Sequence, residues 1–324
     1  MPERPEGSLS EMKEHFRRFD RTRAFEQHNS KVHSVAWSCD GRRLASGSLD
    51  KKVNVSVLDN YRLRTEFTGN GHSDQVDQVS WHHSAPDLLA SASGDKTVRV
   101  WDMRLKKSAH SIATKGQNIN VAWAPDGSML GYGDKDDRIS VIDTRTWKSV
   151  SAEQFKSETN EFVWEKSSQF MFVASGNGRV FIYKTPDMKQ CHSIQAHPAQ
   201  SNCVSIKMDA AGTYFAVGGS DAVVSIWQLN DLICLRTVDR LDYAVRAVGF
   251  SHDSRLLAAG SEDHCIDISW VDTGERTTEL KQDAETYTLA WHPKQYILAF
   301  ASGTASYRDG GGYVKLYGLS ADQV

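Results

Sequence analysis

The chain has 324 residues, 38 Lys+Arg against 41 Asp+Glu, a net charge of −3, and 40% apolar residues. That length fits two ordinary domains or one large repeat architecture, and the near-neutral charge argues against a domain that holds bare phosphate backbone by bulk electrostatics. No apolar run approaches the roughly 18–20 residues that span a bilayer, and the first 16 residues lack the apolar stretch of a secretory signal, so neither a membrane nor a secreted protein is expected.

Residues 1–21 form an N-terminal extension. Ser8 and Glu11 stand at capping-box spacing, and Met12, Phe16 and Phe19 share one face of a helix. A helix this short is marginal alone, so it docks on its own chain or on a partner. Arg17, Arg18, Arg21 and Arg23 are interleaved with Glu11, Glu14, Asp20 and Glu26, which reads as a solvated face.

From residue 22 to 319 the chain repeats. Alternating apolar residues end in a bulky anchor at Trp37, Trp81, Trp123, Trp164, Lys207, Phe250 and Trp291, spaced by 41 to 44 residues. Lys207 breaks the apolar rule, but its flanks keep the frame. A turn residue follows each anchor by 13 or 14 positions, at Asp50, Asp95, Asp136, Asn177, Asp221 and Asp263. Three residues later an alternating strand begins, reading VNVS, VRVW, ISVI, VFIY, VSIW, IDIS and, in the last copy, VKLY. Four strand-like runs per period of about 40–45 residues predict an all-β, seven-bladed propeller. Two separate β-sandwiches would not keep one period across the midpoint. The last copy ends near residue 319 without an outer strand, and residues 22–27 are placed to supply it, leaving 320–324 as a tail.

Little in the chain suggests chemistry. Cys39, Cys191, Cys203, Cys234 and Cys265 are scattered, odd in number and without a CxxC, which suits reduced thiols in a cytosolic or nuclear protein. His82-His83 reads as a polar turn, because adjacent residues on a strand or turn point apart and do not share a metal. Gly310–Gly312 lacks the Lys-Ser/Thr of a phosphate loop and lies in a long turn, where Tyr307 and Arg308 are candidate partner contacts. Most of the nine Trp fall on blade anchors, so they pack the core and are not a stacking platform for bases. No metal, cofactor, membrane or small-molecule substrate is expected, and no enzymatic activity.

Gly71-His72 and Trp101-Asp102 resemble the paired marks of the WD40 family. In that family a His before the first strand, a Ser or Thr in the second, the turn Asp and a third-strand Trp form a hydrogen-bonded chain. By resemblance, blade two carries it as His72, Ser91, Asp95 and Trp101. Blade one keeps His28, Ser46 and Asp50 with Ser56 in the Trp position; blade five keeps His197, Asp221 and Trp227 with Val217 in the Ser position. Blade six keeps Asp263 alone, with Ser269 in the Trp position, and these departures are expected to make blades one, five and six less rigid without threatening the fold.

A narrower resemblance covers nearly the whole propeller. Residues 31–51, 86–104, 114–127, 250–268 and 290–301 are similar to the family of WD40 subunits (subunit 3) of the THO complex. The least generic features carry it: TKGQNIN where a Gly-His turn is usual, SEDHCIDI without a Trp, and TRAFEQ before the first blade. The resemblance implies a nuclear, non-catalytic scaffold that joins the other THO subunits on their large helical subunit and works in mRNP assembly and mRNA export, touching mRNA only through the complex. The positions four before each anchor, His33, Asp77, Asn160, Arg246 and Tyr287, mark a ring at the channel mouth. With Tyr243 beside them, and Met12, Phe16 and Phe19, they are the candidate partner contacts. The alternative is a WD40 reader of a peptide or histone tail, which would need convergent acids or an aromatic cage in the channel.

Overall fold

The computed structural model describes residues 8–303 and 312–323. Its strands form seven four-stranded sheets. They stand as blades around a central channel lined by inner-strand residues, an all-β seven-bladed propeller with one short N-terminal helix. In six blades four consecutive strands lie side by side in chain order. The seventh combines Thr286–Trp291, Leu298–Ser302 and Gly312–Leu319 with β1 (Arg21–His28) as its outermost strand. β1 runs antiparallel to Gly312–Leu319, from Arg21 opposite Leu319 to His28 opposite Gly312. Gln27 then ties β1 to blade one, its main-chain oxygen accepting from Asn54 and its side-chain oxygen from Ser56.

The core lies between blades. Val53 and Val55 of blade one meet Val76, Val79, Trp81 and Leu89 of blade two, all buried, because branched side chains pack well on a pleated surface. The turn after each inner strand reverses within a few residues. Gly41 and Gly127 supply it with φ of +76° and +74°, where a side chain would be strained. A Cβ on Gly41 would also sit 2.5 Å from the His292 ring of blade seven, so the turn is glycine for two reasons.

All seven inner strands have six residues and end on the anchor. The frame puts the fifth anchor one residue too early. The structure places it at Met208, which pairs with Phe215 as Trp164 pairs with Met171. Met208 packs into the apolar cluster between blades four and five, while the ammonium of Lys207 turns to Glu161. The Trp anchors do more than fill space. The indole N–H of Trp37, Trp81, Trp123, Trp164 and Trp291 donates to the main-chain oxygen one residue before the anchor of the preceding blade, at Ala290, Ala36, Ser80, Ala122 and Gly249. Those bonds measure 3.0–3.2 Å. Met208 and Phe250 have no such donor.

α1 (Leu9–Arg18) begins with a closed capping box, the Ser8 hydroxyl accepting from the Glu11 amide and the Glu11 carboxylate from the Ser8 amide. Met12 and Phe16 were candidates for a partner. They are instead buried at 6% and 3% exposure in a cluster with Ile268, Leu280, Trp291 and Tyr317 of blades six and seven. Phe16 stacks on Tyr317 at 5.6 Å, and this intramolecular burial is what stabilises so short a helix. Phe19 caps the helix, half-buried and stacked on His15 at 4.6 Å.

Candidate functional site

The hydrogen-bonded chain of blade two is complete. Trp101 Nε1 donates to Ser91 Oγ at 2.9 Å, Ser91 meets His72 Nε2 at 2.7 Å, and His72 Nδ1 meets Asp95 at 2.9 Å. Asp95 also accepts from the amides of Ser73 and Thr97 and from the Thr97 hydroxyl. In blade one His28 joins Ser46 at 2.8 Å and Asp50 at 3.0 Å. Burial works to raise the Asp50 carboxyl, but the bond and charge of His28 and the amides of Asn29 and Lys52 hold it down at about 2.

Three blades depart from the sequence pattern. In blade five Ser225 stands in for the missing serine, taking the Trp227 N–H at 2.8 Å and lying 3.3 Å from His197, which meets Asp221 at 3.0 Å. In blade three the frame pointed to Asp136, but the buried carboxylate is Asp134, which accepts the amides of Asp136 and Arg138. Gly116 explains the shift: a Cβ there would lie 2.6 Å from Asp134 Oδ2, so the glycine of TKGQNIN makes room for that carboxylate.

Blade six differs most. Asp267 is fully buried and accepts from Arg240, Arg276 and Ser269, so a salt-bridged network replaces the Trp chain. Burial disfavours the Asp267 carboxylate, yet these donors outweigh it and hold the group below the ordinary range. The expectation of a looser blade six overlooked this network, because its partners are three separate residues with no motif. Asp263 accepts the amides of Asp242 and Tyr243 and the Ser261 hydroxyl.

The channel has a volume of about 670 Å³. Every inner strand carries a register shift near its start, and the extra residue is the one four before the anchor. Such a bulge re-aims a side chain, which puts His33, Asp77, Arg246 and Tyr287 on the channel wall. His33 Nδ1 lies 3.6 Å from Asp77, which also takes the Gln75 amide. Arg246 pairs with Glu262 at 2.8 Å, Tyr287 donates to Glu285 at 2.8 Å, and Lys31 sits 3.4 Å over the Tyr287 ring. Burial, then Glu285, pushes the Tyr287 phenol up to about 12. Asn160 does not join the ring: its amide is tied to the Cys203 main chain at 2.9 Å, bridging blades four and five. Tyr243 is 60% exposed at the same mouth. Tyr307 and Arg308 lie outside the described residues.

Sequence reasoning missed the polar bridge inside the channel. Gln78 donates to Glu161 at 3.2 Å, Lys207 pairs with the same carboxylate, and its second oxygen accepts the Ile206 amide. The signal was the lysine at the misplaced anchor, a charge in an otherwise apolar strand. Chemically, a paired carboxylate, an amide and an ammonium of this kind can bind and orient a polar ligand. Burial raises the Cys203 and Cys265 thiols to about 12 and about 11, so neither is a thiolate near neutral pH. Among the described residues no group of three His, Cys, Asp or Glu side chains could hold a metal ion.

The family model described as the THOC3 beta-propeller domain matches residues 28–301. The chain belongs to the THOC3 β-propeller family. It is 35% identical over 304 residues to the THO complex subunit 3 of Arabidopsis thaliana, covering 93% of this chain and 96% of that protein. It is 28% identical to the WD repeat-containing protein AAC3 of Dictyostelium discoideum, over 86% of this chain and 63% of the relative. The β-propeller domain of Cps50 (Swd1) from Myceliophteria thermophila superposes with a TM-score of 0.81 over 93% of this chain. At 17% identity that likeness shows the fold alone.

Proposed function

We propose that this THOC3-family propeller is a WD40 scaffold subunit of a THO complex, non-catalytic, acting in the nucleus in mRNP assembly and mRNA export. The observation that carries the reading is the match to a THO complex subunit 3 over 93% of this chain and 96% of that protein. The partners are the other THO subunits, with the large helical scaffold subunit first, and mRNA is reached through them. The protonated thiols and the mutually paired charges of the channel support a binding role without catalysis. A reader of histone tails is not favoured, since Lys31 already covers Tyr287 and, among the described residues, no ring contact joins Tyr243 to a second aromatic.

Contact with partners fits the mouth where the inner strands begin, through His33, Asp77, Arg246, Tyr287 and the exposed Tyr243. Loops and turns at blade ends vary freely while the sheets hold still, which suits a platform. Affinity purification of the tagged chain from nuclear extract, followed by mass spectrometry, tests the reading. The expected result is the other THO subunits in constant ratio to the bait. Recovery in a different assembly without them would overturn it.

A further inference from the structure

We propose that the outer edge of blades two and three is a docking surface for an acidic protein segment that carries apolar side chains. The surface is built from two neighbouring turns, each linking the third strand of its blade to the outer one. The blade-two turn leads into the outer strand Lys107–Ala113, and the blade-three turn leads into Lys148–Gln154. An aromatic contact joins the blades here: Trp147 of the blade-three turn stacks at 4.0 Å on His110 of the blade-two outer strand, and lies T-shaped to Trp123. The blade-three turn therefore rests on the outer strand that the blade-two turn leads into, on the same rim of the propeller.

That face is basic. Arg104 and Arg145 pair with aspartates two residues earlier, Asp102 at 2.6 Å and Asp143 at 3.0 Å. Lys106, Lys107 and Lys148 are exposed and have no carboxylate partner among the described residues. These five cations and two acids sum to +3 on a chain whose net charge is −3, and Asp87, which also faces Arg104, is itself paired with Arg43. The equivalent turns of blades five and six carry the opposite sign, with Asp231, Asp272 and Glu275.

Amid these cations Leu105 and Val150 are 58% and 49% exposed, two of the six large apolar side chains exposed among the described residues. Exposed leucine and valine framed by unpaired lysines fit an occupant that brings both carboxylates and apolar groups. A phosphate backbone would use the lysines and leave the apolar pair in water. One face of Trp147 is also taken by His110, which removes a stacking surface for a base.

The test uses the full chain with a photo-crosslinking amino acid at Val150, and in a control at Ile233 of blade five. Crosslinked adducts from cells are digested and sequenced. The proposal expects Val150 to capture a segment with net negative charge and apolar residues, and the Lys106→Glu/Lys107→Glu variant to lower that yield roughly tenfold, as loss of complementary charge slows encounter. The Ile233 adducts should not change, and the melting temperature should be retained because both lysines are exposed. RNA adducts at Val150, a neutral or basic segment, a yield indifferent to the charge reversal, or no adduct at all would each overturn it.

Discussion

Asp267 concentrates the residue-scale energetics. It is fully buried between Arg240 and Arg276, and removing one member of such a network strands the others. Asp267→Ala should cost about 3–5 kcal/mol. Asp95→Ala removes four hydrogen bonds at a mostly buried site and should cost about 1–3 kcal/mol, and Asp263→Ala, with three bonds made mainly to exposed backbone, less again. Urea midpoints in that order check the assignment, and Asp263→Ala as the most damaging change would contradict it. The histidines predict a pH response. Burial lowers His72, His82, His83 and His292 below 6.5, so the unfolded chain takes up protons that the folded one refuses. Stability should be full above about pH 6.5 and fall as the pH drops toward 5, before Asp50 titrates. His292 shows why: Nε2 donates to Gly41 and Nδ1 accepts from Lys294, an arrangement open only to the neutral ring. Equal midpoints at pH 7.5 and 5.5 would contradict this.

At the scale of elements, the seams between blades are not equivalent. Five are stapled by an anchor indole, and the seam between blades four and five is bridged by Glu161 and Asn160. Among the described residues the inner part of the seam between blades five and six has neither: Phe250 has no donor, Ser205 Oγ is buried without a hydrogen-bond partner, and the bond from Arg236 to the Asp272 main-chain oxygen lies out at the rim. Hydrogen exchange should find lower protection in Cys203–Met208 and Val245–Phe250 than in Val76–Trp81, and uniform protection would refute the ranking. The other closure is β1. Deleting residues 21–28 should expose Gly312–Leu319 as an open edge and promote aggregation; unchanged solubility and melting would argue against that role. Seven blades were legible because the anchors and turn residues repeat, and repeats report the period directly. What escaped was compensation. Met208 for Lys207, Asp134 for Asp136, Ser225 for Val217 and the Asp267 network each solve the same packing problem with residues outside the repeat's usual positions. The capping box of α1 was readable, whereas its docking site was not, since nothing local tells Phe16 that Tyr317 waits beneath it.

On the scale of the whole molecule, a rigid ring with paired charges in its channel, opposite charge on different blades and protonated thiols is suited to hold other proteins in place. RNA association should then be indirect, because a lone propeller of net charge −3 neutralises few phosphates. The most direct measurement is a titration of single-stranded RNA near physiological salt, comparing the purified chain with the THO complex reconstituted around it. The account predicts weak, salt-sensitive binding by the chain alone and tight binding only by the complex. Tight, specific binding by the lone propeller would contradict it.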